Sequence, residues 1–339
     1  MTDSLHIQKF LTQSDGQTVV DVRTPSEFQK GHIPGAVNIP LFSDDERVKV
    51  GTLYKQEGQR QAILEGLASV GQRLRPLAEA GEEAAREKQV FLYCWRGGMR
   101  SSSLSWLWEL LGLKTTKLRR GYKAYRNYIY TLFERPLKIQ ILGGKTGSRK
   151  TDILKELQKM GEQVIDLEAL ACHKGSAFGA LGEKKAPTQE HFENLLGWEV
   201  KKLDTNRRVW VEDESRFIGR LMSPEKFWEQ MENAPVSYIE CPRQERVNYL
   251  VEIYGNQDIG GLADSIDKIK KKLGGARHKE MQELLQRGDL SRVCELSLDY
   301  YDSAYEYGLT KRKPVPIDKI SVEKLNIPEI ATLLIKEKE

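Results

Sequence analysis

Short dense apolar runs alternate along this chain with stretches of helical spacing, and the alternation starts twice. Val19-Val20-Asp21-Val22 is a β-branched run and reads as a buried strand. Polar, turn-rich sequence follows from Arg23 to Pro40. Gln89 to Tyr93 reads as a second strand that stops at Cys94. A glycine-bearing loop then leads into a helix with Ser101 to Ser103 at its start, Leu104, Trp106, Leu107, Leu110 and Leu111 inside, and Gly112 at its end. The pattern restarts near Pro136. Leu137 to Leu142 is a strand, Gly143 to Thr151 a loop, and Thr151 to Met160 a helix. Val164 to Leu167 and Val209 to Glu212 read as further strands, and from Asp264 onward the pattern is mainly helical and strongly charged. This predicts an α/β fold with parallel sheets and helices on both faces, in two domains over 1–130 and 136–339, the second with a helical C-terminal part.

Composition narrows the class. With 339 residues, 39% hydrophobic and 30% charged, the chain is neither disordered nor fibrous. Its four cysteines stand far apart at 94, 172, 241 and 294, a spacing that argues against a structural zinc and a disulfide scaffold, so no metal site is expected from them. No apolar run approaches the roughly 20 residues that span a bilayer. Met1-Thr2-Asp3-Ser4 lacks the basic start of a signal peptide. A reduced, cytoplasmic protein without a membrane partner is expected.

The net charge of +4 is mild, so its distribution matters more than its sum. Lys114, Lys117, Arg119, Arg120, Lys123 and Arg126 fall in one acid-free segment with Tyr122, Tyr125 and Tyr128 between them. A second cluster holds Lys268, Lys270, Lys271, Lys272, Arg277 and Lys279. Either can grip a phosphate backbone or form a solvated helix face, and the tyrosines offer faces for stacking. The first is preferred for RNA contact, through Lys117, Arg119, Arg120, Lys123 and Arg126, because it follows the helix that begins at the cysteine loop.

Cys94-Trp95-Arg96-Gly97-Gly98-Met99-Arg100-Ser101 lies between a strand and a helix. Backbone N–H groups of such a loop converge on one point, where the helix N-terminus adds positive potential. Cys94 at that point is a candidate thiolate nucleophile, and Arg100 can fork onto an oxyanion. With Asp21-Val22-Arg23, Glu27-Phe28 and Gly31-His32-Ile33-Pro34-Gly35-Ala36-Val37-Asn38-Ile39-Pro40, this loop resembles the rhodanese domain over residues 5–125. The resemblance implies a persulfide-carrying cysteine and structural roles for Asp21 and Arg23. Arg100 stands six residues after Cys94, where ordinary rhodaneses place it five after. The longer spacing is that of cysteine-dependent phosphatases, so chalcogen transfer and phosphate-ester chemistry both stay open. Tyr93 stands where such phosphatases carry histidine.

The second loop has the form of a Walker A motif, with N–H groups to cradle phosphates, a lysine for their oxygens and a hydroxyl suited to Mg²⁺. Its candidate residues are Gly144, Gly147, Ser148, Arg149, Lys150 and Thr151, with Arg149 where the motif has glycine. Phosphate binding is expected, whereas nucleotide hydrolysis is not secured by the motif. Glu212 and Asp213 end a strand, as a metal-holding Walker B carboxylate would or as a solvated strand end would.

The two loops together with Val211-Glu212-Asp213-Glu214-Ser215-Arg216-Phe217-Ile218-Gly219 and Tyr300-Tyr301-Asp302 resemble the tRNA 2-selenouridine synthase family over nearly the whole chain. That resemblance implies two steps at the wobble uridine in a tRNA anticodon. Geranyl diphosphate alkylates the sulfur of 2-thiouridine, and selenium from selenophosphate then replaces the geranylthio group. It involves no covalently bound cofactor. On this reading the P-loop holds the diphosphate and Cys94 with Arg100 serves the selenium step. Phe178, Phe192, Trp198 and Phe217 are candidates to enclose the geranyl chain, with core packing as the alternative for each.

Overall fold

The structure is a computed structural model, and it describes residues 3–176, 178–179, 181–311 and 314–336. The chain divides into two compact units, one of residues 1–132 with 193–198, the other of 133–192 with 199–339.

In the first unit the strands are β1 (Asp3–Leu5), β2 (Val19–Asp21), β3 (Val37–Asn38), β4 (Gln89–Tyr93) and β5 (Lys114–Leu118). They form one parallel sheet in the order β1-β5-β4-β2-β3. The helices are α1 (Ile7–Gln13), α2 (Pro25–Lys30), α3 (Asp44–Gln56), α4 (Gln59–Gly71), α5 (Leu74–Ala84), α6 (Met99–Leu110) and α7 (Gly121–Phe133). β4 is central because Val90, Phe91, Leu92 and Tyr93 are apolar at consecutive positions and all fully buried, as a strand covered on both faces requires. Leu104 and Trp108 of α6 pack in the same core as Val20 and Leu92. The turn-rich stretch after Arg23 contains α2, opened by a capping box of Thr24 and Glu27.

The second unit holds β6 (Lys138–Gly144), β7 (Gln163–Ile165), β8 (Arg208–Glu212), a hairpin of β9 (Phe217–Ile218) and β10 (Leu221–Met222), β11 (Val236–Glu240) and β12 (Ile317–Ser321). Its main sheet is parallel, in the order β12-β11-β6-β8-β7. Its helices are α8 (Lys150–Lys159), α9 (Leu167–Ala171), α10 (Gln189–Lys202), α11 (Glu225–Glu232), α12 (Arg243–Tyr254), α13 (Ile259–Lys268), α14 (Lys270–Leu273), α15 (Gly275–Gln286), α16 (Leu290–Lys311) and α17 (Ile327–Lys336). The middle residues of α10, 193–198, count with the first unit. One core joins Leu142, Ile153, Leu157, Trp210 and Ile239 to α17, and another lies among α12, α13, α15 and α16.

One expectation is corrected. The run at Val164–Leu167 is not all strand. β7 ends at Ile165, because the Asp166 carboxylate accepts the Ala169 N–H at 2.8 Å and starts α9. The mainly helical C-terminal part also holds a strand that the sequence reading did not single out: β12 pairs with β11 at the sheet edge. Four of its five residues are exposed, so it lacks the apolar run that marks a buried strand.

Candidate functional site: a cysteine loop and a phosphate loop

β4 delivers Cys94 to the N-terminal end of α6, where the residue is 3% exposed. The Gly98 N–H donates to Cys94 Sγ at 3.3 Å, and Ser101 Oγ lies 3.3 Å from the same sulfur. Trp95, Arg96, Gly98 and Met99 are exposed and Gly97 half-buried around it. The loop is fastened from below by the start of α7. The Tyr122 N–H donates to the Cys94 carbonyl at 2.8 Å and the Lys123 N–H to the Trp95 carbonyl at 3.0 Å. Gly121 makes that approach feasible: its φ is +57°, and a Cβ there would lie 2.1 Å from the Cys94 carbonyl oxygen. Gly121 was absent from the sequence-based site, and only its place in a Gly-Tyr-Lys helix start hinted at it.

Arg100 does not point its fork at a free anion site. Its Nη1 donates to Glu27 Oε2 at 2.5 Å and its Nη2 to Oε1 at 3.3 Å. Burial alone would raise the Glu27 carboxyl, but the Arg100 guanidinium outweighs it with the help of the Thr24 amide and Arg23, and the carboxyl sits below its ordinary range. The arginine that a phosphatase would place on its ester oxygens is therefore committed to a carboxylate in this structure. Asp21 and Arg23 form a buried pair, 2.6 Å between Arg23 Nη2 and Asp21 Oδ2, with Nη2 also donating to the Gly31 carbonyl at 2.6 Å. These contacts are structural, as the rhodanese resemblance implies.

The basic segment is divided. Arg119, Arg120 and Lys123 are exposed, and Arg119 lies 3.0 Å from His6 Nε2. Lys117 donates to Ser102 Oγ at 2.9 Å. Arg126 is bound to Glu193, Asn194 and Tyr130, which makes it a brace within the unit rather than an open phosphate contact. Tyr122 and Tyr125 are fully buried in a ring stack with Tyr93, so neither offers a face to a nucleobase. Helical spacing put them on the inward side of α7, which a count of aromatic and basic residues cannot see. Asn194, fully buried and donating to the His32 carbonyl at 2.9 Å and to Tyr122 Oη at 2.6 Å, was also missed.

In the second unit β6 runs straight into the phosphate loop. Gly147 has φ +85°, and a Cβ there would lie 2.9 Å from the Arg246 carbonyl oxygen, so glycine is needed at that turn. Lys150 Nζ donates to the Gly144 carbonyl at 3.0 Å, and the Gly144 N–H donates to Tyr305 Oη at 3.1 Å. Tyr305 in turn donates to Asp213 Oδ2 at 2.6 Å. Ser148 Oγ is buried without a hydrogen-bond partner. Arg149 sits at the N-cap of α8 with φ 58° and ψ 31°, the left-handed conformation that the usual glycine adopts without cost. Its side chain pairs with Asp152 at 2.9 Å and lies over the Tyr249 ring.

β8 neighbours β6 with Leu142 opposite Glu212, and this register brings the end of β8 to the loop. Thr151 Oγ1 lies 2.8 Å from Glu212 Oε1 and 3.2 Å from Glu168 Oε2. Glu212 is fully buried, and its Oε2 has no hydrogen-bond partner. It is thus no solvated strand end. The hydroxyl and the open carboxylate oxygen fit Mg²⁺ that takes its other ligands from phosphate and water. Among the described residues no group of three or more His, Cys, Asp or Glu side chains has a metal-holding arrangement. Burial and the charge of Glu214 push Glu168 up to about 8. Glu214 is raised to about 7 by burial, with Lys150 opposing and Glu212 adding to the rise. An excess of carboxylates beside one lysine leaves this corner short of positive charge.

The family description "tRNA 2-selenouridine synthase AAA domain" matches residues 137–326, and "Rhodanese-like domain" matches residues 7–128. A tRNA 2-selenouridine synthase of Shewanella sediminis is 38% identical over 335 residues, covering 88% of this chain and 89% of that one. One of Bordetella bronchiseptica is 37% identical over 328 residues, covering 85% and 87%. This chain belongs to the tRNA 2-selenouridine synthase family. In this family member the rhodanese-like unit carries the cysteine loop and the following α/β unit carries the phosphate loop. Among the described residues no helix is long and apolar enough to cross a membrane. Of the four aromatic candidates for a geranyl site, Phe178 and Phe192 are buried, Trp198 is half-buried and Phe217 is exposed on the β9–β10 hairpin.

Proposed function

We propose that the chain is a tRNA-modifying enzyme that forms 2-selenouridine from wobble 2-thiouridine through an S-geranyl intermediate. The observation that carries this is the thiol of Cys94, which accepts the Gly98 N–H at the start of α6, on a chain whose second unit has a Walker A-like loop with Lys150 at its end. In the first step the thiocarbonyl sulfur attacks C1 of geranyl diphosphate. The C1–O bond breaks, diphosphate leaves with the bonding pair, and the uridine N3 proton is lost. The loop amides and Lys150, released from the Gly144 carbonyl, stabilise the departing charge. Mg²⁺, when bound, would neutralise diphosphate further from Thr151 and Glu212. In the second step the selenium of selenophosphate adds at C2, the C2–S bond breaks and geranylthiolate leaves and takes a proton; water then cleaves the Se–P bond, releasing phosphate and leaving the 2-selenouridine with a proton on N3. Cys94 and the Gly98 amide handle the selenium donor, and Arg100 positions the loop through Glu27.

The test is incubation with 2-thiouridine tRNA, geranyl diphosphate and selenophosphate, followed by nucleoside mass spectrometry. The wild type should yield 2-selenouridine, and without selenophosphate it should stop at the S-geranyl nucleoside. Cys94→Ala should still geranylate, with selenium incorporation lost and the circular dichroism spectrum unchanged. Full selenation by that variant would remove Cys94 from the reaction.

A further inference from the structure

The cysteine loop and the basic segment meet at one surface of the first unit. Gly97 has φ +67°, and a Cβ there would lie 2.7 Å from the Leu118 carbonyl oxygen and 3.0 Å from the Arg120 nitrogen, so the loop lies directly on the turn between β5 and α7. The Lys123 N–H, one turn into α7, holds the Trp95 carbonyl at 3.0 Å. Arg120 itself takes φ +61°, a left-handed conformation that is costly for any residue with a side chain. Such strain persists where the surroundings fix it, and it gathers at binding sites. Arg96 in the loop and Arg119, Arg120 and Lys123 beside it are exposed. The sequence from Lys114 to Arg126 holds no acidic residue.

Trp95 belongs to this surface and is the immediate neighbour of the nucleophile. Cys94 is 3% exposed, whereas Trp95 is 37% exposed. The indole leans on the buried Tyr122 ring, with centroids 5.8 Å apart and planes at 48°, and Tyr122 is stacked in turn on Tyr93 and Tyr125. It is braced from inside by a packed aromatic stack and meets water outside. Trp106 and Tyr130 are also exposed but less well placed. Trp106 lies further along α6, about 10 Å beyond Met99 on the axis, and Tyr130 is held by Arg126 and Glu193. An exposed aromatic ring among cations suits unpaired RNA: the ring takes a base face and the cations take phosphates, whereas a base inside a stem has both faces covered.

We propose that Trp95 is the platform on which an unpaired base of the tRNA anticodon loop stacks while the wobble uridine is presented to the cysteine loop, with Arg96 on a neighbouring phosphate. The inference rests on the tRNA-modifying reading above and adds the side chain that distinguishes an open loop from a closed stem. Stacking thereby falls to Trp95 rather than to Tyr122 and Tyr125, which the fold buries.

The test is binding of the full-length protein to two RNAs of equal length and charge, an anticodon stem-loop and a fully paired duplex, across a range of salt. The wild type should prefer the stem-loop. Trp95→Leu should weaken the stem-loop by about tenfold, leave the duplex unchanged and keep the salt slope, because no charge is lost. Trp95→Phe should keep most of the affinity, and Trp106→Leu all of it. Arg96→Ala should instead lower the slope of log affinity against log salt by up to about 0.7. On the unmutated protein, ultraviolet crosslinking of a stem-loop with 5-iodouridine beside the wobble position should label the peptide that contains Trp95. Unchanged stem-loop affinity in Trp95→Leu, equal weakening of both RNAs, or crosslinks confined to other peptides would overturn the platform and leave tRNA as the substrate. A wild type that binds neither RNA would overturn the tRNA reading, and the platform with it.

Discussion

Arg149 shows how one residue tests a loop. Its left-handed φ of 58° is costly for any side chain, yet it pairs with Asp152 and Tyr249. Arg149→Ala and Arg149→Gly remove the same side-chain interactions, so their difference isolates the backbone. The glycine variant should be more stable than the alanine variant by about 1 kcal/mol in urea unfolding. Equal stabilities would mean that the turn relaxes out of the left-handed region. Glu168 carries a second residue-scale effect. It faces Glu214, Lys150, Asp166, Thr151 and Glu212, and its carboxyl is lifted from 4.5 to about 8 by burial and by Glu214. The folded protein thus holds a proton that the unfolded chain releases. This stabilising term is full below pH 4.5 and falls away as pH rises to about 8. Glu168→Gln, measured without Mg²⁺, should gain thermal stability over wild type progressively across that range and hold the gain above it. A gap that does not change with pH would show that Glu168 is ionised throughout.

At the scale of elements, the cysteine loop is held by α7 as well as by its own residues. The Tyr122 and Lys123 amides hold the Cys94 and Trp95 carbonyls from beneath, through the space that Gly121 leaves. Gly121→Ala brings a Cβ against the Cys94 carbonyl and the Gly97 nitrogen. It should destabilise the chain by about 2–4 kcal/mol and abolish selenation while geranylation persists. Retained selenation at wild-type rate would show that the loop shifts without consequence. The two strand–loop–helix units at Cys94 and Lys150 were both legible in the sequence, because consecutive apolar residues followed by glycines leave few other readings. β12 was not legible. An exposed edge strand gains its pairing from β11, which lies far away in sequence.

For the whole molecule, the prediction concerns charge. Arg119, Arg120 and Lys123 are exposed, whereas Arg126 is engaged with Glu193. Replacing the three exposed residues together by Ala should weaken tRNA binding and lower the slope of log affinity against log salt by up to about 2.7, roughly 0.9 for each phosphate that is no longer neutralised. An unchanged slope would move the RNA surface to the Lys268–Lys279 cluster. The sequence alone determined the two α/β units, the position of Cys94 and the phosphate loop, because these depend on local order: apolar run, glycine turn, helix start. It also carried family membership, through motifs spread over most of the chain. Tertiary structure alone decided which charged groups are available. It turned Arg100 onto Glu27, closed Arg126 onto Glu193, buried Tyr122 and Tyr125, and brought Glu168 and Glu212 to Thr151 with Glu214 beside the two carboxyls. The reason is physical. Covalent order fixes which residues are neighbours along a strand or helix, but a charge's partner and its access to water are set by whatever the fold packs against it.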